Sequence, residues 1–277
     1  MLNVSELRQI LDSGGWATVT SGLYAPAAGA GGSGSFGRVV HVFASVDSTN
    51  SRARDLAMKG APGGTVVMAR EQTAGRGRHG RVWESEPGKN LLFSIVLRPR
   101  VEPELLGLVS LYASVSVAAC VEELCGKDAG CKWPNDVTVS GRKICGILSE
   151  SVITPGGVDA VILGIGLNVN QEDFATLPGT NATSLRLETG RVHDLAGVLG
   201  SVLGELERRY RPLAGGRAAD IIGEWTRRSV ILGSRVCVER GGASFSGIAR
   251  SVGPDGALRV ETAEGTVDVV AGEVHLV

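Results

Sequence analysis

Residues 71–83 read EQTAGRGRHGRVW, so Arg76, Arg78 and Arg81 share one short stretch with Gly75, Gly77 and Gly80. No acidic residue lies between Glu71 and Glu84 to neutralise them. Glycine lets the backbone approach a ligand closely and expose its N–H groups. The arginine fork grips phosphate or carboxylate oxygens in pairs and stays charged at any relevant pH. Such a loop is suited to holding an anion. Empty, its charges repel one another, so it is expected to be mobile and to order around a ligand. The plainer alternative is a solvated surface loop with incidental arginines.

A second stretch, KWPNDVTVSGRK, holds Lys132 and Lys143, two of only five lysines among the 28 lysines and arginines of the chain. A lysine is a compact charge with rotatable donors, which suits a negative charge that migrates between atoms. In a chain that decorates its surface with arginine, Lys143 after the Ser140-Gly141 turn reads as purposeful rather than as surface cover. Asp136, in the same stretch, is the best nearby carboxylate for magnesium, which takes a few carboxylate and phosphate oxygens.

Other glycine patterns carry less. GSGSFGRV at 32–39 matches the nucleotide loop of protein kinases, but no His-Arg-Asp or Asp-Phe-Gly occurs anywhere to complete that chemistry. It continues a Gly/Ala/Ser tract, so low complexity explains it. No Gly-x-x-x-x-Gly-Lys-Ser/Thr loop is present. The five cysteines form no Cys-x-x-Cys pair and the four histidines are scattered, which argues against a disulfide framework or a zinc site. A net charge of -1 gives no global signature of a nucleic-acid binder. No cationic leader follows Met1 and no apolar stretch is read as membrane-spanning, so the expectation is a cytoplasmic enzyme, with no membrane and no nucleic-acid partner.

The elements that must position these residues follow from periodicity. Residues 3–12 have helical spacing, and 26–37 form a flexible Gly-rich segment. From Val39 the pattern alternates: strand 38–46, helix 48–60 with Ser48 or Thr49 as its cap, strand 64–72 feeding the arginine loop, and strand 90–99. A long apolar helix starts with Pro103 near its first turn. Residues 131–153 read as strand, turn at Ser140-Gly141, strand; 159–170 read as another strand. Residues 193–210 and 215–228 are amphipathic helices. Past Ser229 come four or five short strands with glycine turns, the signature of a small β-barrel. The expected domains are 1–38, 39–228 and 229–277.

The blocks GRGRHGR, KWPNDV, RKICGILSE and GIGLNVN, preceded by DSTN at 47–50, resemble in order and spacing those of biotin protein ligases. The resemblance runs from about Val40 to the C-terminus and looks most like the short, monofunctional type without a DNA-binding domain. It implies an α+β fold: a mixed β-sheet catalytic domain flanked by helices, like class II synthetases and biotin–lipoate ligases, plus a small C-terminal SH3-like β-barrel. It also implies a two-step reaction. Biotin and ATP, with Mg2+, give biotinyl-5′-AMP, and biotin then passes to a lysine of a biotin carboxyl carrier domain. The positive loop would offset repulsion between biotin carboxylate and α-phosphate and keep water from the adenylate.

Residue roles follow from the same blocks. Lys143, Arg76 and Arg78 would be catalytic. Biotin would contact Ser48, Thr49, Asn50, Gln72, Gly75, Arg76, Gly77, Arg78, Lys143, Gly146 and Gly164, with Gly166 beside them. ATP would contact Arg78, Arg81, Trp83, Lys132, Asn135, Lys143 and Asn168, and Asp136 would hold the metal. Bland alternatives stand next to several: Ser48 or Thr49 as a helix cap, Trp83 as a core aromatic, the glycines as close-packing strand residues. Lipoate or octanoate ligation on the related fold is the nearest rival. A ligand-responsive DNA-binding repressor is the rival of another class, although residues 1–38 carry only Arg8 and Arg38 as basic side chains. Monomer and homodimer both remain open.

Overall fold

The computed structural model describes residues 36–99, 106–174, 181–214 and 217–277. The expected helix at 3–12, most of the Gly-rich segment and Pro103 lie outside them. A seven-stranded mixed sheet forms the larger part. In chain order its strands are β1 (Val40–Val46), β2 (Val66–Gln72), β3 (Leu91–Leu97), β4 (Ala129–Lys132), β5 (Asp136–Val139), β6 (Arg142–Thr154) and β7 (Gly157–Leu167). Their spatial order is β1-β2-β3-β7-β6-β5-β4. Only β1 and β2 run parallel. A parallel pair needs a crossover, and helix α1 (Thr49–Met58) supplies it.

Strand alternation sorts the side chains between two faces. Val66 and Met68 of β2, Phe93 and Ile95 of β3, and Leu163 and Ile165 of β7 enter the main core. Their neighbours Val67, Val96 and Ile162 turn the other way and pack with Ala53 and Ala57 of α1. The main-core face is covered by α2 (Gly107–Cys125), α4 (Leu195–Ala214) and α5 (Ala218–Arg228), with short α3 (Leu185–Thr189) between them in sequence. By length and composition α2 could cross a membrane, which corrects the sequence expectation that no stretch reaches that size. Its buried Leu108, Leu111, Val115 and Val121 instead pack within the core, and the Tyr112 hydroxyl donates to the Leu206 carbonyl at 2.7 Å.

One local reading changes. Residues 131–139 are not one strand but a hairpin, β4 and β5 paired with Lys132 opposite Asp136, turning at the cis Trp133-Pro134 bond. The Ser140-Gly141 turn is as expected. Both residues take positive φ, 51° and 74°, the geometry of a two-residue hairpin turn.

The C-terminal unit is a five-stranded antiparallel sheet, β8 (Arg235–Arg240), β9 (Ala243–Val252), β10 (Leu258–Thr262), β11 (Gly265–Val269) and β12 (Glu273–Leu276), ordered β11-β10-β9-β8-β12. The mixed sheet with flanking helices and this small β unit match the fold class read from the sequence. The unit sits on the start of α2, backbone against backbone. A Cβ at Gly107 would lie 2.6 Å from the Asp255 carbonyl oxygen. The indole N–H of buried Trp133 donates to the Gly256 carbonyl at 3.1 Å, tying the β9–β10 turn to the β4–β5 hairpin. Trp133→Phe leaves that buried carbonyl without its donor, and is expected to destabilise the chain by about 2 kcal/mol in urea unfolding.

Candidate active site

The face of the sheet that packs on α1 carries the site. On β3, β6 and β7 the alternation that sends Ile95, Ile147 and Ile165 to the main core turns Ser94, Gly146, Glu150, Gly164 and Gly166 toward α1. Gly146 and Gly166 pair directly across β6 and β7, which leaves a floor without side chains. The Trp83 indole lies on it. A Cβ at Gly146 would meet Trp83 at 2.6 Å, and one at Gly166 at 2.5 Å. At Gly164 a Cβ would meet Asn50 Oδ1 at 2.3 Å. The glycines therefore provide room for Trp83 and Asn50 as well as bare backbone.

Lys143 reaches this face through a bulge. Ile144 and Cys145 are adjacent, yet both lie in the main core, and the β5–β6 register slips by one residue beside them. A bulge of this kind re-aims the preceding side chain. Lys143 thus points at the cavity, with Nζ 2.6 Å from Asp136 Oδ1 and 5.6 Å from the centroid of the Trp83 ring. Its backbone is held by segment 181–183: Lys143 N–H donates to the Asn181 carbonyl at 2.7 Å, and Thr183 N–H donates to the Lys143 carbonyl at 2.9 Å.

A cavity of about 480 Å3 opens here. Ser48, Thr49, Asn50, Gln72, Arg76, Gly77, Arg78, Arg81 and Trp83 line it. So do Lys132, Asn135, Asp136, Lys143, Gly146, Gly164, Gly166 and Asn168. Of the residues singled out from the sequence, Gly75 alone is off this wall. It closes the base of the loop: its carbonyl accepts from Trp83 N–H at 3.0 Å, and a Cβ there would meet the Trp83 carbonyl oxygen at 2.4 Å.

Placement on the wall does not leave every group open to a ligand. The Asn50 amide donates to Glu150 at 2.6 Å, and its oxygen accepts from Ser94 at 2.6 Å. The Asn135 amide donates to the Ile147 carbonyl at 2.7 Å, and that of Asn168 to the Thr183 carbonyl at 3.0 Å. Gln72 Oε1 accepts from Thr49 N–H at 2.8 Å. Ser48 occupies the N-cap position of α1 but makes no side-chain capping bond there. Its hydroxyl sits buried at the cavity instead.

The arginine loop follows a defined backbone path. Arg76 and Val82 form a β-bridge, and the tip turns through His79 at φ 53° and Gly80 at φ 76°. The charges that the loop does not balance internally are met from three strands. Arg76 pairs with Glu150 of β6 at 3.1 Å, and Arg81 pairs with Glu273 of β12. Burial lowers the pKa of the Arg78 guanidinium, while Asp136 of β5 favours its charged form. Glu150, Ser94 and Glu273 are what the sequence reading missed. Glu150 stands at the end of the RKICGILSE block, but nothing local announced its partner.

Behind Lys143, buried Glu188 accepts from Thr183 at 2.7 Å, from Arg142 at 2.6 Å and from Lys127 at 2.7 Å. Burial pushes its carboxyl up, but the bonds from Lys127 and Thr183 and the charge of Arg142 outweigh it, so its pKa is lowered. A lowered folded-state pKa gives stability that is present above the unfolded value and lost as pH falls through the folded one. The melting-temperature gap between wild type and Glu188→Gln should therefore be full at neutral pH and shrink as the pH falls below the ordinary range of a glutamate carboxyl. A constant gap across that range would contradict this account.

Comparison with known proteins gives the same reading of the chain. Residues 42–168 match the model of the Biotin/lipoate A/B protein ligase family, and 231–277 match the Biotin protein ligase C terminal domain. The chain is 39% identical over 259 residues to a biotin–[acetyl-CoA-carboxylase] ligase of Mycobacterium tuberculosis, covering 88% of this chain and 92% of that protein. It is 36% identical over 233 residues to the bifunctional ligase/repressor BirA of Bacillus subtilis, covering 83% of this chain and 72% of that protein. Its fold superposes on the biotin protein ligase of Aquifex aeolicus in complex with biotin and ATP with a TM-score of 0.73. That match has 31% identity and covers 84% of this chain and 96% of that one. With the glycine floor, the loop arginines and Lys143 gathered on one cavity and both family models matched in order, the chain belongs to the biotin protein ligases, enzymes of ATP-dependent biotin ligation.

Proposed function

We propose that residues 39–228 activate biotin to biotinyl-5′-AMP in this cavity, and that the unit from 229 onward covers its mouth while the acyl group passes to a lysine of a biotin carboxyl carrier domain. The observation that carries the reading is Lys143. It is a lysine re-aimed by a bulge onto a side-chain-free floor, with Arg78 and Lys132 on the same wall. Biotin carboxylate and ATP α-phosphate are both anions, so their approach needs fixed positive charge where the two meet.

In this reading the biotin rings lie toward Ser48, Thr49 and Gln72, beside Gly146 and Gly164. Gly77 and Arg78 flank the reacting carboxylate. As it attacks the α-phosphorus, the bond to pyrophosphate breaks. Lys143 follows the charge from carboxylate to phosphate, and Arg81 takes the departing pyrophosphate. Trp83, Lys132, Asn135 and Asn168 border the nucleotide. In the second step the carrier lysine, as free amine, attacks the acyl carbon, AMP leaves, and the amine proton is lost to solvent.

Among the described residues no cluster of three or more His, Cys, Asp or Glu is placed to hold a metal by itself. Mg2+ commonly needs only one or two protein carboxylates when phosphates supply the rest. Asp136 fits that requirement, with Oδ1 already paired to Lys143. When bound, the ion would neutralise the triphosphate. The five cysteines are free thiols and α2 is packed in the core, which supports an enzyme of a reducing, aqueous compartment such as the cytoplasm.

The experiment is mass spectrometry of products from biotin plus ATP, with and without a carrier domain, with lipoate and octanoate as competing acids. Biotinyl-AMP without carrier and a single biotinylated lysine with it are expected. Lipoyl or octanoyl products instead would overturn the choice of acid. Lys143→Ala should fold normally and lose about 10²–10³-fold in pyrophosphate release, the usual effect of removing one transition-state donor. Near wild-type release would remove Lys143 from the chemistry.

A further inference from the structure

The first loop arginine does not reach freely into the cavity. Arg76 Nη1 donates to Ser51 Oγ at 2.9 Å, and Nη2 lies 3.1 Å from Glu150 Oε2. Glu150 also accepts from the Asn50 amide at 2.6 Å. Asn50 is held in turn by Ser94, whose hydroxyl lies 2.8 Å from Thr49 Oγ1. Thr49 closes the circuit on Gln72, through its N–H at 2.8 Å and its hydroxyl at 3.1 Å. Both ends of segment 72–76 are therefore fastened to the first turn of α1, one through Gln72 and the other through Arg76. Glu150 is where strand β6, helix α1 and the loop meet. Beyond Gly77 the loop has no comparable attachment to α1. Its distal half meets the rest of the protein through Arg78, near Asp136, and through Arg81, paired with Glu273.

We propose that Glu150 is a positioning residue for adenylation, and that Arg76 is a brace held by it rather than a ligand for the substrates; this rests on the ligase reading above. Glu150 fixes the stem of the loop, and the fixed stem aims Arg78 at the carboxylate and α-phosphate. An unbraced stem would leave Arg78 to sample orientations, and a charge that must be organised during the reaction stabilises the transition state less than one already in place. Ground-state capture of biotin depends on the Thr49 and Gln72 end of the circuit, which does not need the Arg76–Glu150 pair. The proposal therefore separates two effects: loss of Glu150 lowers turnover and leaves biotin binding nearly as it was.

The test uses the full chain, biotin, ATP and labelled pyrophosphate in isotope exchange, with Glu150→Gln, Arg76→Ala and the double variant. Each single variant is expected to lower exchange kcat about tenfold with KM for biotin within about twofold, and the double variant to be no worse than either single. Glu150→Asp, which restores the charge, should recover part of the loss. Hydrogen exchange should rise in residues 73–78 of Glu150→Gln, with melting little changed. Multiplying losses in the double variant would mean that Arg76 acts on the substrates directly, and would overturn the brace. So would Glu150→Gln with wild-type turnover. If Glu150→Gln melts early, Arg76→Ala decides: wild-type exchange in that variant overturns the proposal, and a tenfold loss at unchanged KM supports it. A wild-type enzyme that makes no biotinyl-AMP would overturn the ligase reading itself, whereas an active wild type with unaffected variants overturns only the positioning role.

Discussion

Three like charges on one short, glycine-rich loop can stay beside one cavity only if opposite charge is brought to them. The fold brings it from three separate strands: Glu150 on β6, Asp136 on β5 and Glu273 on β12. None of these pairs need be strong. Arg76 and Arg81 are substantially exposed, and exposed ion pairs are weak individually. What they provide is direction. Each arginine has a carboxylate from a different strand near it, so like charges on the loop are offset rather than left to repel one another.

The floor of the cavity depends on the pleat of the sheet. One period-2 pattern on β3, β6 and β7 fills the main core with Phe93, Ile147 and Ile165, and leaves Ser94, Gly146 and Gly166 on the other face. A single bulge breaks that pattern where Lys143 must face the site. Regular alternation alone would have pointed this lysine toward apolar residues, where its charge would carry a large desolvation penalty. Glu188, Thr183 and Arg142 then hold the backbone around the bulge.

The small C-terminal sheet is part of the same site. Gly272, Glu273, Val274 and His275 reach the cavity wall, and the β9–β10 turn is anchored through Trp133 to the hairpin that carries Lys132 and Asp136. Loop, hairpin and C-terminal unit thus meet at one opening.

Much of this was legible in the sequence. Residue types with local meaning declared themselves: glycines and arginines in GRGRHGR, the Ser140-Gly141 turn with its two positive φ angles, the alternating strands, the long apolar helix. Their order identified the family and the cavity wall, since catalytic blocks are short and contiguous. What the sequence could not reveal were relations between residues far apart in the chain. That β4 and β5 form a hairpin depends on pairing energies across a turn that periodicity does not register. That Asn50, Asn135 and Asn168 donate to protein groups, and that Glu150 and Glu273 answer the loop's arginines, depends on which strands become neighbours. A hydrogen bond or ion pair is specified by distance in space. Local composition fixes which groups are available to make one, and only the tertiary structure decides which of them meet.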